Sequence, residues 1–219
     1  MKLRNVLLVI AILASTTSAG ADDTTDAGVE APEKVEGPKL DLLIADIGKA
    51  RKDLKTLRSS FTQERRITLL ATSVKSRGEL LVAAPDRLRW DLAAPDDVIY
   101  FVGPEGLSYK TKSSSSTLPS TAGTNVARAL TDLRALLTGD LAPLRERYVL
   151  GGSRTTIEVE ITGVARDKAA SVKSFTLVLD KGLMVPRRAR LVEGKSDGVD
   201  LVFSNVVVNG PIDPARLRP

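Results

Sequence analysis

The stretch PDRLRWDL, Pro85 to Leu92, decides the reading of this chain. Extended after its proline, it places Leu88, Trp90 and Leu92 on one face and Arg87, Arg89 and Asp91 on the other, because successive side chains of a strand point to opposite sides. Trp90 is the chain's one tryptophan. A strand with so apolar a front and so charged a back belongs to a sheet with one buried face. Whether Trp90 fills a core or walls a ligand cavity is left open by alternation alone.

Working outward, the two-residue period recurs on both sides. Strands are expected at about 59–70, 75–83, 87–92, 98–102 and 107–110, with turns at Ala84-Pro85-Asp86, Ala94-Pro95-Asp96 and Gly103-Pro104-Glu105-Gly106. Lys112 to Ser120 is polar, and its run Ser113–Ser116 reads as a loop by composition. Further strands are expected at about 147–150, 155–162, 172–180, 187–193 and 199–208. Two amphipathic helices interrupt the pattern. The first starts near Pro38 and reaches about Arg58, with Leu40, Ile44, Ile47, Leu54, Leu57 and then Phe61 spaced as one helical stripe. The second, capped by Thr124 or Asn125, carries Val126, Ala129, Leu130, Leu133, Leu136 and Leu137 and stops at Gly139. About ten antiparallel strands with only two helices to cover them suit a half-closed barrel with a concave apolar face.

The start of the chain has a different character. Lys2 and Arg4 precede the apolar run Val6 to Ala14, and Ala19-Gly20-Ala21 fits a cleavage site, so residues 1–21 read as a secretory signal peptide. Residues 22–38 carry six carboxylates against Lys34 alone, a net of −5, and are expected to be an acidic disordered linker before a single domain at 39–219. Taking the two leader cations and this −5 out of the total of +5 leaves +8 on the body, a charge suited to anionic lipid or an acidic protein surface. Nucleic acid is not expected as a partner, since the aromatic interleaving of single-strand binders is missing.

Histidine and cysteine are both absent. That removes Ser-His-Asp and Cys-His catalysis, the commonest ligands of zinc, copper and iron, and disulfides. Asp96-Asp97 is an adjacent carboxylate pair, but a turn after proline accounts for it. No catalytic residue, metal or cofactor is expected.

The run FTQERRITLL, Phe61 to Leu70, followed by SRGELLVAAPDRLRWDLAAPD, Ser76 to Asp96, resembles the LolA-like periplasmic lipoprotein carriers. The shared elements are Phe61 and Gln63, Gly78, Pro85, Trp90 and Pro95. The resemblance implies an unclosed antiparallel β-barrel with a helical lid, whose cavity receives acyl chains of lipoproteins crossing the periplasm toward the outer membrane. It also implies an inner-membrane donor complex and an outer-membrane acceptor as partners, and a monomeric protein. Leu81, Leu88, Trp90, Leu92 and Phe101 are the candidate cavity residues, and Leu130, Leu133 and Leu137 the candidate lid residues. The sequence departs from the family where a latch arginine precedes the motif's proline: here that residue is Ala84. With no such latch, the second helix is expected to be held mainly by apolar contacts. Besides the carrier, two other readings are a protein-binding or sensing module on the same half-barrel and, last, an enzyme. Bound lipid separates the first from the second.

Overall fold

The computed structural model describes residues 31–67, 72–119, 125–194 and 197–218. The expected leader and the linker up to Glu30 lie outside these residues, as does Thr124. Twelve strands form a single antiparallel sheet: β1 (Glu33–Val35), β2 (Thr56–Ile67), β3 (Thr72–Ala83), β4 (Arg87–Leu92), β5 (Val98–Gly103), β6 (Gly106–Lys110), β7 (Ser115–Pro119), β8 (Tyr148–Arg154), β9 (Glu158–Ala165), β10 (Val172–Asp180), β11 (Pro186–Glu193) and β12 (Asp197–Val208). The helices are α1 (Pro38–Ala50), α2 (Asn125–Thr138) and α3 (Ala142–Arg147), and a 3₁₀ turn, Pro214–Leu217, closes the chain.

The order across the sheet is β1-β8-β9-β10-β11-β12-β2-β3-β4-β5-β6-β7, so the barrel is not closed. Both strands that the sequence did not announce, β1 and β7, are its edges. Glu33–Val35, expected within the linker, pairs with Gly152–Arg154 and buries Val35. Ser115–Pro119, expected as a loop, pairs with β6, and its Thr117 is hydrogen-bonded to Ser108 at 2.9 Å. Short polar edge strands gain from backbone pairing rather than from a buried face, so no alternation marks them.

The first helix ends at Ala50, earlier than its apolar spacing suggested. Leu57 and Phe61 belong instead to β2, where a step of four residues returns a side chain to the same face just as it does on a helix.

Alternation holds well in β4, where Leu88, Trp90 and Leu92 are buried and the residues between them are partly exposed. Phe61 stacks on Trp90 with ring centroids 4.0 Å apart. This contact needs Gly78, the cross-strand partner of Phe61 on β3: a Cβ there would stand 2.6 Å from Phe61 Cζ and 2.0 Å from the Asp91 carbonyl oxygen. The motif Phe, Gly, Trp is thus one contact across three neighbouring strands. The other half of the sheet repeats the device, with Phe175 lying over its partner Gly163 and meeting Tyr148 edge-on at 5.0 Å.

Helix α1 packs Leu43 and Ile47 into the core on the concave face, with Leu43 and Leu40 against Gly152 of β8. Among the described residues no helix is long and apolar enough to cross a membrane.

Candidate functional site

Cross-strand register divides the sequence candidates between the two faces of the sheet. Leu80 pairs with Trp90 and Val82 with Leu88, so these four share the concave face. Leu81 and Phe101 both pair with Arg89 and therefore stand on the convex face. These two candidates do not reach the cavity, and their burial has another cause. The closing 3₁₀ turn lies against β4: Arg89 donates to the Arg216 carbonyl at 3.2 Å, Arg216 pairs with Glu79, and Arg89 sits 5.4 Å from the centre of the Phe101 ring and pairs with Asp91 at 2.6 Å. The charged back of the opening stretch is the seat of the C-terminal turn. Nothing within 90–110 reveals this, because the covering residues are more than a hundred positions away.

On the concave face a cavity of about 180 Å³ lies between the sheet and α2. The sheet contributes Trp90, Leu92, Leu191, Val199 and Leu201. The helix contributes Val126, Ala129, Leu130 and Leu133. Trp90 is only 4% exposed, so it is at once part of the packed core, through Phe61, and part of the cavity wall. Leu88 and Leu137 are fully packed core residues beside the cavity rather than in its wall. Gln63, Arg65, Tyr100 and Glu193 supply the polar part of the lining, of which the sequence marked Gln63 as a motif residue and none as part of the cavity. Their signal was present: inward positions of β2 continue from Leu57, Ser59 and Phe61 to Gln63 and Arg65. Two larger hollows, of about 510 and 480 Å³, are ringed by charged side chains such as Glu64, Lys75 and Asp200, or Arg87, Glu105 and Arg218. Their rims do not suit an apolar ligand.

Apolar contacts alone do not hold α2. Asp132, 2% exposed, accepts from the Tyr148 hydroxyl at 2.7 Å and from Arg147. Burial pushes the Asp132 carboxyl above its ordinary value of 3.8, against the pull of Tyr148 and Arg147. The Tyr148 phenol is raised too, by burial first and then by the neighbouring carboxylate. Arg134 donates to the Asp86 carbonyl at 2.6 Å, in the turn that follows Ala84. Arg51, just past α1 and 3% exposed, donates to the Leu183 carbonyl at 2.8 Å, to the Met184 carbonyl at 3.2 Å and to the last-turn carbonyl of Leu137. Desolvation lowers its pKa to about 10. Gly139 follows with φ +81°, where a Cβ would press on Arg51 at 3.1 Å or less. The expectation of a mainly apolar lid is therefore corrected: polar ties fix the helix at residues 132–137, while Val126 to Leu133 roof the cavity.

No curated protein matches the chain. Among solved structures it is similar to a LolA superfamily protein, NE2245, from Nitrosomonas europaea, at 11% identity over 82% of this chain and 97% of that one, TM-score 0.46. It is similar to the Mycobacterium tuberculosis lipoprotein LppX, at 20% identity over 79% and 98%, TM-score 0.43. The MucA/MucB complex of Pseudomonas aeruginosa matches at 17% identity over 80% of this chain and 59% of that one, TM-score 0.44. The family model of the outer membrane lipoprotein carrier protein LolA matches residues 52–218, from the end of α1 to the closing 3₁₀ turn. With that match spanning most of its length, the chain belongs to the LolA family of outer membrane lipoprotein carriers.

Proposed function

We propose that this protein is a non-enzymatic periplasmic carrier, exported by its leader, that takes acyl chains of lipoproteins or other lipidated cargo between the concave sheet and α2 and moves them toward the outer membrane. The observation that carries this reading is the apolar cavity under a helix that Asp132, Arg134 and Leu137 tie down in its C-terminal half. Its 180 Å³ is smaller than the roughly 300 Å³ at which ligand pockets begin. Loading thus requires α2 to swing outward at Val126–Leu130 while Asp132, Arg134 and Leu137 stay in place.

Such a hinge also solves a problem of release. A sixteen-carbon chain fully withdrawn from water gains on the order of 12 kcal/mol, which a rigid complementary site would not give back. A cavity that is collapsed when empty recovers apolar contact as the cargo leaves. A membrane donor and an outer-membrane acceptor would then act by opening the same helix.

The test is a titration of the mature protein with a fluorescent acyl-glycerol probe, read through Trp90 emission, beside mass spectrometry of whatever the purified protein carries. Bound lipid and a saturable change in Trp90 emission are expected. Absence of both defeats the carrier reading and favours a module that binds protein alone.

A further inference from the structure

The cavity is not uniformly greasy, and its polar end has a composition that an acyl chain alone does not require. Gln63 is nine-tenths buried on the concave face, paired in register with Leu201 and Ser76, and its amide makes no hydrogen bond among the described residues. An amide offers both donor and acceptor, so Gln63 can serve a carbonyl or a hydroxyl brought beside it. Arg65, two residues further along the same face, meets Asp96 only at 3.8 Å, beyond hydrogen-bond reach, and Asp96 already accepts from Ser76. Glu193 faces the same cavity from β11 and has no ion pair among the described residues. One guanidinium is thus set against two carboxylates at the place where the head of a bound chain would lie.

We propose that this end of the cavity selects the linkage of the acyl chain: neutral acyl esters and amides are accepted, and free fatty acids are rejected. The inference rests on the reading of the cavity as an acyl site. An ester or amide carbonyl accepts from the Gln63 amide or from the unused N–H groups of Arg65, and brings no charge into a lining otherwise made of Trp90, Leu92 and Leu133. A free carboxylate adds a third anion around one cation, and like charges disfavour the ionised form in a partly desolvated site. Glu193 is the specificity-determining residue in this scheme, and Gln63 the group that holds the carbonyl.

The experiment compares a monoacylglycerol with the fatty acid of the same chain length, each displacing a fluorescent acyl-glycerol probe at about pH 8, where the fatty acid is ionised. In the wild-type protein the ester is expected to bind roughly tenfold more tightly. Glu193→Gln, at a partly exposed position, should close most of that gap by raising fatty-acid affinity, and Gln63→Leu should weaken the ester. Equal binding of the two ligands, preference for the fatty acid, or a gap indifferent to Glu193→Gln overturns the selectivity while leaving the acyl cavity standing. If neither ligand displaces the probe, the acyl-site reading itself falls and the selectivity with it.

Discussion

Replacing Arg51 by methionine sets two opposing costs against each other at one buried side chain. The guanidinium donates to the carbonyls of Leu183, Met184 and Leu137. Hydrogen bonds from a charged group contribute ~1.5–3 kcal/mol each, so the three together represent a gross loss of ~5–9 kcal/mol. Against this, burial lowers the guanidinium's pKa to about 10, a sign that the cation is held at a cost in desolvation. That corresponds to ~3 kcal/mol, which methionine recovers. The net expectation is a destabilisation of ~2–6 kcal/mol. In urea, with a slope of about 2 kcal/mol per molar, the unfolding midpoint should fall by roughly 1–3 M, followed through Trp90 fluorescence. Amide exchange should rise at both ends of the tie, around Gly139 and around Leu183, because one side chain serves the two. An Arg51→Met protein as stable as the wild type, or more stable, would refute the view that this residue anchors the fixed end of α2, since desolvation would then outweigh the bonds.

Four further outcomes are expected. Gly78→Ala forces a methyl into the Asp91 carbonyl and the Phe61 ring, so it should cost about 2 kcal/mol or more and shift Trp90 emission; a silent substitution contradicts the three-strand contact. Arg134→Gln removes the tie from α2 to the Asp86 carbonyl and should speed probe entry in stopped-flow mixing with a stability loss of only ~1–2 kcal/mol. Asp132→Asn should lower stability at neutral pH by ~1–3 kcal/mol, measured by urea unfolding, as Arg147 loses its charged acceptor. The raised pKa of Asp132 means that the folded state holds a proton that the unfolded state has released in the window just above 3.8, so this group's contribution is present at the acid end and lost as pH rises. The wild-type advantage over Asp132→Asn should accordingly shrink from the acid side of that window toward neutrality, and an advantage that grows with pH contradicts the assignment.

What could be read in the sequence followed from where each residue's environment was decided. The strands β2 to β6 and β8 to β12 carry their own inward face, so local alternation located them, and Leu130, Leu133 and Leu137 marked the buried stripe of α2 in the same way. The edges β1 and β7 have one neighbour each and no face of their own to bury fully, so nothing in their composition distinguished them from loop. Leu81 and Phe101 were apolar for a reason located at Arg216 and Leu217, and alternation counted correctly would have put them opposite Trp90. The polar ties of α2 join Arg51, Asp132 and Tyr148 to partners that only the folded chain brings near, and a periodicity argument has no access to such pairs. Gln63 and Arg65 sat in a readable position, on the inward series of β2, but polar residues at inward positions are informative only once the space they face is known.

The place of β12 in the sheet bears on how the molecule comes into being. It lies between β11 and β2, so residues near the end of the chain form the seam that joins two blocks otherwise built from consecutive hairpins. Strands β2 to β7 can meander together as soon as they exist, and so can β8 to β11, yet the two blocks share no strand pairing until residues 197–208 arrive. Closing that seam requires contacts across roughly 140 residues, and pairings of such separation are slow to form. Biogenesis is therefore ordered in time: the full concave face, and any affinity for an acyl chain that depends on Leu191, Val199 and Leu201 standing opposite Trp90, emerges only after synthesis is essentially finished. A chain built this way completes its two hairpin blocks before it has the concave face that spans them.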